Sequence, residues 1–156
     1  MRLTHEGLPV DLDVIPDITM RGQDDPHGRV TTRRPPTVGQ LAARIGDLAG
    51  RPADWWHLVR LDPAGPSRVT LTGADGVLLW LTTWPPGYRT DRHDHGVTEV
   101  STVIAGELTE FTIAPDGVTE RPLRANRVRV HASGHTHELH NPGPAFAITL
   151  HAHLSS

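Results

Sequence analysis

The chain contains no cysteine. Disulfides, zinc–thiolate sites and cysteine nucleophiles are therefore excluded, and any metal must be held by nitrogen and oxygen donors. Aromatic residues are scarce, at 4% of 156 positions, so aliphatic side chains must fill most of the interior. No apolar run approaches the roughly 20 residues that a membrane helix needs. The opening, MRLTHEGLPV, lacks the apolar centre of a signal peptide, and the cytoplasm is the expected location. There is no basic run either, and the formal net charge is −3, so neither nucleic acid nor an anionic membrane is the expected partner. The length favours one domain. Histidine is plentiful, with 11 residues in all.

Residues 1–36 are rich in proline, aspartate, arginine and glycine without a sustained period, and read as an irregular arm. The segment TVGQLAARIGDLAG follows. Thr37 is a good N-cap, Val38, Leu41, Ile45 and Leu48 recur at helical spacing, and Gly50 is a stop. One amphipathic helix over about 38–49 is expected, covering one end of a barrel, and residues 37–156 are expected to form a single domain with it. Beyond it the period changes to two. WHLVRL, SRVTLT, VLLWLTTW, EVSTVIA, ELTEFTIA, RVRVHA and AFAITLHAH are short β-rich runs separated by Gly- and Pro-containing turns. The expected class is all-β, an antiparallel sandwich or barrel. No phosphate loop, dinucleotide fingerprint or nucleophile elbow is present.

The stretch GYRTDRHDHGVTEVSTVIAG concentrates chemistry. On a strand, His93 and His95 face the same side while Asp94 points away. Glu99 lies past a short turn and can return to the same point. A second stretch, ASGHTHELHN, carries His137 three residues after Gly134 and Asn141 four residues later.

Together the two stretches resemble the paired motifs of the cupin superfamily. The first motif is Gly, five residues, His-x-His, three or four residues, Glu, six residues, Gly. Here it reads Gly87, His93, His95, Glu99, Gly106. The second has Ala132 where a proline is usual, then Gly134, His137 and Asn141. The resemblance implies a cupin-type double-stranded β-helix, or jelly-roll barrel. It also implies His93, His95 and His137 as neutral metal ligands, with Glu99 a candidate fourth. Such a donor set suits Fe(II), and also Mn, Ni, Cu or Zn. Asp94, His135 and His140 fall outside the ligand register, the two histidines being expected at the barrel mouth or in solvent.

WPPGYRTDRHDHG, AGELTEF and HELHNPGPAFAITLHAH, in that order, are similar to the cysteine dioxygenase family. The resemblance runs over residues 54–156 and implies an Fe(II) thiol dioxygenase that turns cysteine or a related thiol carboxylate into a sulfinate with O₂. The family places an arginine before the His-Asp-His strand to hold the substrate carboxylate, as the bidentate geometry of Arg suits. Arg68 matches within one residue, and Arg60 is the alternative. The family's terminal Ser-His-Tyr set corresponds to Thr149, His151 and His153, the last a departure. Glu99 is another departure, because an acidic fourth ligand would oppose bidentate thiolate binding. Two rivals stand beside this reading: a cupin metalloenzyme of another reaction class using three histidines and Glu99, and a non-catalytic small-molecule-binding cupin. A monomer or homodimer is expected.

Overall fold

The computed structural model describes residues 34–71 and 76–154. Most of the irregular arm expected over residues 1–36 lies outside them, and Arg34 to Pro36 carry no regular structure.

Helix α1 spans Val38–Ala49. It begins where the cap predicts: Thr37 accepts from the Gln40 backbone N–H, and the Gln40 side chain accepts from the Thr37 backbone N–H. Leu41 and Ile45 are its fully buried positions. Gly50 ends it in a right-handed conformation, with φ −73°. The Trp55 indole N–H then donates to the Leu48 carbonyl at 2.9 Å, tying the following turns to the helix end.

Nine strands follow among the described residues: β1 (Ser67–Leu71), β2 (Val77–Trp84), β3 (His93–Asp94), β4 (Glu99–Ala105), β5 (Leu108–Ala114), β6 (Gly117–Leu123), β7 (Arg129–His131), β8 (Thr136–His140) and β9 (Ala147–Leu154). They form two antiparallel sheets, ordered β1-β2-β9-β4-β7 and β3-β8-β5-β6. Alternation along β2, β4 and β9 divides the larger sheet into two faces. Leu81, Val100, Ile148, Leu150 and Ala152 face outward and pack with Leu41, Ile45 and Trp55 into one core. Trp80, Thr82, Trp84, Glu99, Ser101, Thr149 and His151 face the space between the sheets. The helix therefore covers the back of the larger sheet, not a barrel end, because the back face is where its aliphatic stripe finds an apolar partner. A second core of Trp84, Val103, Leu108, Leu123, Leu139 and Ala147 closes the far part of the interior.

Three segments depart from expectation. WHLVRL is not a strand: Trp56–Leu58 form a 3₁₀ turn, and Leu61 is exposed. The Arg60 carbonyl accepts from a side chain of β2, the Thr83 hydroxyl. GVTERPL forms β6, a sheet-edge strand that tolerates Pro122 because an edge residue needs no second ladder bond. RVRVHA yields only the short β7.

Gly106 links β4 to β5 with φ +74°. A Cβ there would stand 2.6 Å from the Ala147 Cα and from the Phe146 carbonyl oxygen, so the turn fits against β9 only as glycine.

Candidate metal centre

Three imidazoles meet at one point between the sheets. His93 and His137 are directly paired across β3 and β8. His95 lies just past β3, where its backbone N–H donates to the His135 carbonyl and its carbonyl accepts from the Gly134 N–H at 2.7 Å. Gly134 turns there with φ +81°. The Nε2 atoms of His93 and His95 lie 3.0 and 2.9 Å from the His137 Nε2.

The surrounding acceptors fix which nitrogen carries each proton. His93 Nδ1 faces the Asp91 carbonyl at 2.9 Å, His95 Nδ1 faces Glu99 Oε2 at 3.0 Å, and His137 Nδ1 faces Glu110 Oε1 at 2.7 Å. All three acceptors lack a hydrogen, so each Nδ1 is the donor and each neutral ring keeps its lone pair on Nε2. The short Nε2 contacts are then not hydrogen bonds between neutral rings: three lone pairs face one another. A cation relieves that repulsion. Donors about 2.1 Å from one ion and at right angles stand roughly 3 Å apart, which is the observed spacing. The residues present therefore fit a metal ion.

Glu99, the candidate fourth ligand, stands behind the His95 ring, on its Nδ1 side. Its other oxygen accepts from His151 Nδ1 at 2.7 Å. His151 Nε2 in turn accepts from the Thr149 hydroxyl at 2.6 Å, and Thr149 accepts from the Trp84 indole N–H at 2.9 Å. An unbroken chain thus runs from Trp84 through Thr149, His151 and Glu99 to His95. Trp80 stacks on His151 with ring centroids 4.9 Å apart. Burial alone would raise the Glu99 pKa, but the hydrogen bonds from His151 and His95 hold it well below the usual carboxylate range. The same bond from Glu99 raises the pKa of His95.

Glu110 is the second carboxylate and was not singled out by spacing. It is buried on β5, diagonal to His137 on β8, and Oε1 accepts from His135 Nε2 at 2.9 Å as well as from His137. Burial would raise its pKa, but those hydrogen bonds lower it to about 2. His135 is thereby drawn into the network, not left at the mouth or in solvent. His131 lies beside it, buried, with Nε2 3.3 Å from the Ser101 hydroxyl and Nδ1 without a hydrogen-bond partner. Burial lowers its pKa to about 4, and desolvation likewise lowers that of His137. Glu110, His131, His135 and His137 also have the spacing to share an ion. Within that group, however, Glu110 already accepts from two histidines, whereas no donor serves the three Nε2 atoms.

The centre opens into a cavity of about 410 Å³. Thr149, His151, Glu99 and Arg68 line it. The Arg68 guanidinium lies over the Trp80 ring, 4.1 Å from its centroid. Arg60 does not line it. His153 does not either: its ring stands edge-on to Trp80, centroids 5.1 Å apart, with Nδ1 on the Leu154 carbonyl. Arg127, Arg129 and His131 line the cavity and were overlooked; their i, i+2, i+4 spacing in RVRVHA was the available signal. Asn141 is fully buried behind the centre, its amide donating to the carbonyls of Trp84, Pro85 and Ala145 and accepting from the Gly143 N–H. Asp94 and His140 take no part. Among the described residues no helix is long and apolar enough to cross a membrane.

A family model for cysteine dioxygenase type I matches residues 38–154. No curated protein matches the sequence significantly. Solved structures similar to the chain include oxalate oxidase in complex with the substrate analogue glycolate, with TM-score 0.51 and 24% identity over 60% of this chain and 53% of that one. A cupin domain from Bordetella pertussis Tohama I has TM-score 0.50 and 19% identity, over 62% of this chain and all of the other. A Thermus thermophilus protein has TM-score 0.56 and 19% identity, over 66% of this chain and 96% of that one. The chain spans about half the length of the oxalate oxidase it matches. At these identities the likeness establishes a cupin fold.

Proposed function

The chain belongs to the cysteine dioxygenase type I family, and from that premise we propose that it is an Fe(II)-dependent thiol dioxygenase. It would oxidise cysteine or a related small thiol carboxylate to the sulfinate with O₂. The overall change is RSH + O₂ → RSO₂⁻ + H⁺, in which both oxygen atoms reach sulfur and one proton leaves. The observation that carries the reading is the convergence of three neutral imidazoles whose protons are all committed to acceptors behind them.

His93, His95 and His137 would hold the ion through Nε2. Bound iron supplies the one-electron chemistry that lets O₂ react with a thiolate, and three neutral donors leave its charge free to favour that thiolate. Arg68 holds the substrate carboxylate from its perch on Trp80. Thr149 and His151 orient substrate and keep the polar wall supplied with hydrogen bonds. Glu99 is a positioning residue, fixing the tautomer of His95 and the tilt of its ring. Trp84, Val103, Leu108 and Leu139 give the cavity apolar walls that limit water.

A four-ligand cupin enzyme finds less support, because both Glu99 oxygens are engaged by histidine Nδ1 atoms away from the Nε2 point. A non-catalytic binding cupin would need none of the relay from Trp84 to His95. Oxygen uptake by the iron-loaded protein, with sulfinate detected by mass spectrometry, tests the reading. Thiol-dependent uptake in a one-to-one ratio with sulfinate supports it. Turnover of a non-thiol acid with another metal would favour the first rival, and ligand binding without turnover the second.

A further inference from the structure

Five arginines line the cavity and a groove that shares two of them. Arg68, Arg127 and Arg129 line it, and Arg127 and Arg129 also line an adjoining groove with Arg121, Arg124, Pro122 and Val128. The groove is free of acidic residues. Among the described residues none of the five forms an ion pair; the Arg–carboxylate pairs there are Arg51–Asp54 and Arg89–Glu138. The chain as a whole is acidic, at −3, so this cationic cluster is not a reflection of overall composition.

Among the described residues, the cavity lining holds no free carboxylate for an ammonium group. Its one carboxylate, Glu99, has both oxygens taken by His95 and His151. A zwitterionic substrate would place its positive end near guanidinium groups with no free anionic partner among the lining residues to offset them. An anionic group, in contrast, meets donors at two stations on the cavity wall: Arg68 of β1, over Trp80, and the pair of Arg129, which begins β7, and Arg127 just before it, β1 and β7 being the two outermost strands of the larger sheet. A cavity of about 410 Å³ accommodates a small diacid.

We propose that, among the small thiol carboxylates of the proposed function, the site prefers over cysteine a thiol acid carrying two anionic groups and no free ammonium, with Arg68 at one anion and Arg127 and Arg129 at the other. The thiol part rests on the proposed function; the two-anion part rests on the arginines alone.

Trp80 and Trp84 line the cavity, so their fluorescence reports occupancy. The metal-loaded protein is titrated with succinate, propionate and alanine as thiol-free probes. Succinate is expected to bind about tenfold tighter than propionate, the gain from one further charge-assisted hydrogen-bonded contact, and alanine weakest of the three. Replacing Arg127 and Arg129 with glutamine should reduce succinate to the level of propionate. Equal binding of the three probes by the wild-type protein would overturn the proposal, as would a succinate preference that survives the double substitution. Oxygen uptake with thiols is scored separately. A succinate preference without thiol turnover leaves the anion site standing and removes the dioxygenase reading; thiol turnover without a succinate preference does the reverse.

Discussion

Each of the three clustered imidazoles hands its Nδ1 proton to a different acceptor: a backbone carbonyl for His93, Glu99 for His95, Glu110 for His137. The acceptors differ in charge, so the rings differ in basicity. Glu99→Gln should therefore weaken metal binding about 10- to 100-fold without changing the number of ions bound, measurable by competition with a chromophoric chelator. Protons compete with the metal most strongly at His95, whose pKa is raised. On acidification, affinity should therefore begin to fall at a higher pH than an ordinary histidine would give, and only at lower pH in Glu99→Gln. A second consequence concerns the metal-free protein. His131 has its pKa lowered from 6.5 to about 4, so the stability it contributes is present above pH 6.5 and is lost as pH falls toward 4. The contribution of Glu110, lowered to about 2, is present above pH 4.5 and lost below it. Urea midpoints should decline from pH 6.5 downward, with no recovery at lower pH. The meeting of His93, His95 and His137 was legible through the paired motifs, strand alternation turning His93 and His95 the same way. The place of Glu110 and the bonds from His95 and His151 to Glu99 were not, since both depend on which strand lies beside which.

At the scale of elements, the helix could be read from its sequence to the residue, since Thr37, the aliphatic stripe and Gly50 are local signals. What it packs against is not local. Its stripe rests on Val100, Ile148 and Leu150, residues that alternate with the site residues of the same two strands. Ile45→Ala should cost about 2–5 kcal/mol by leaving a cavity in that core, whereas Thr37→Ala should cost about 1 kcal/mol as a lost cap; thermal or urea unfolding checks both. The misread WHLVRL segment has strand-like composition, but the larger sheet ends at β1 and leaves it no partner. His153 illustrates the same limit. Its alternation with Thr149 and His151 is real, yet it stands edge-on against Trp80 and outside the cavity lining.

In the molecule as a whole, the larger sheet serves two cores, one under the helix and one around the cavity, and the candidate metal centre draws on both sheets. His93 and His137 belong to the smaller sheet, while His95 is tied through Glu99 to the larger one. An ion held at that point would bridge the sheets and bind the folded chain alone. Removing it should lower the unfolding temperature, and restoring it at about 100 times its dissociation constant should return about 2.7 kcal/mol. The most direct test is the metal stoichiometry of the purified, reconstituted protein beside His137→Ala, measured by inductively coupled plasma mass spectrometry with circular dichroism to confirm folding. About one ion per wild-type chain and almost none in the folded variant is expected. An unchanged ion content in folded His137→Ala would contradict the three-imidazole centre.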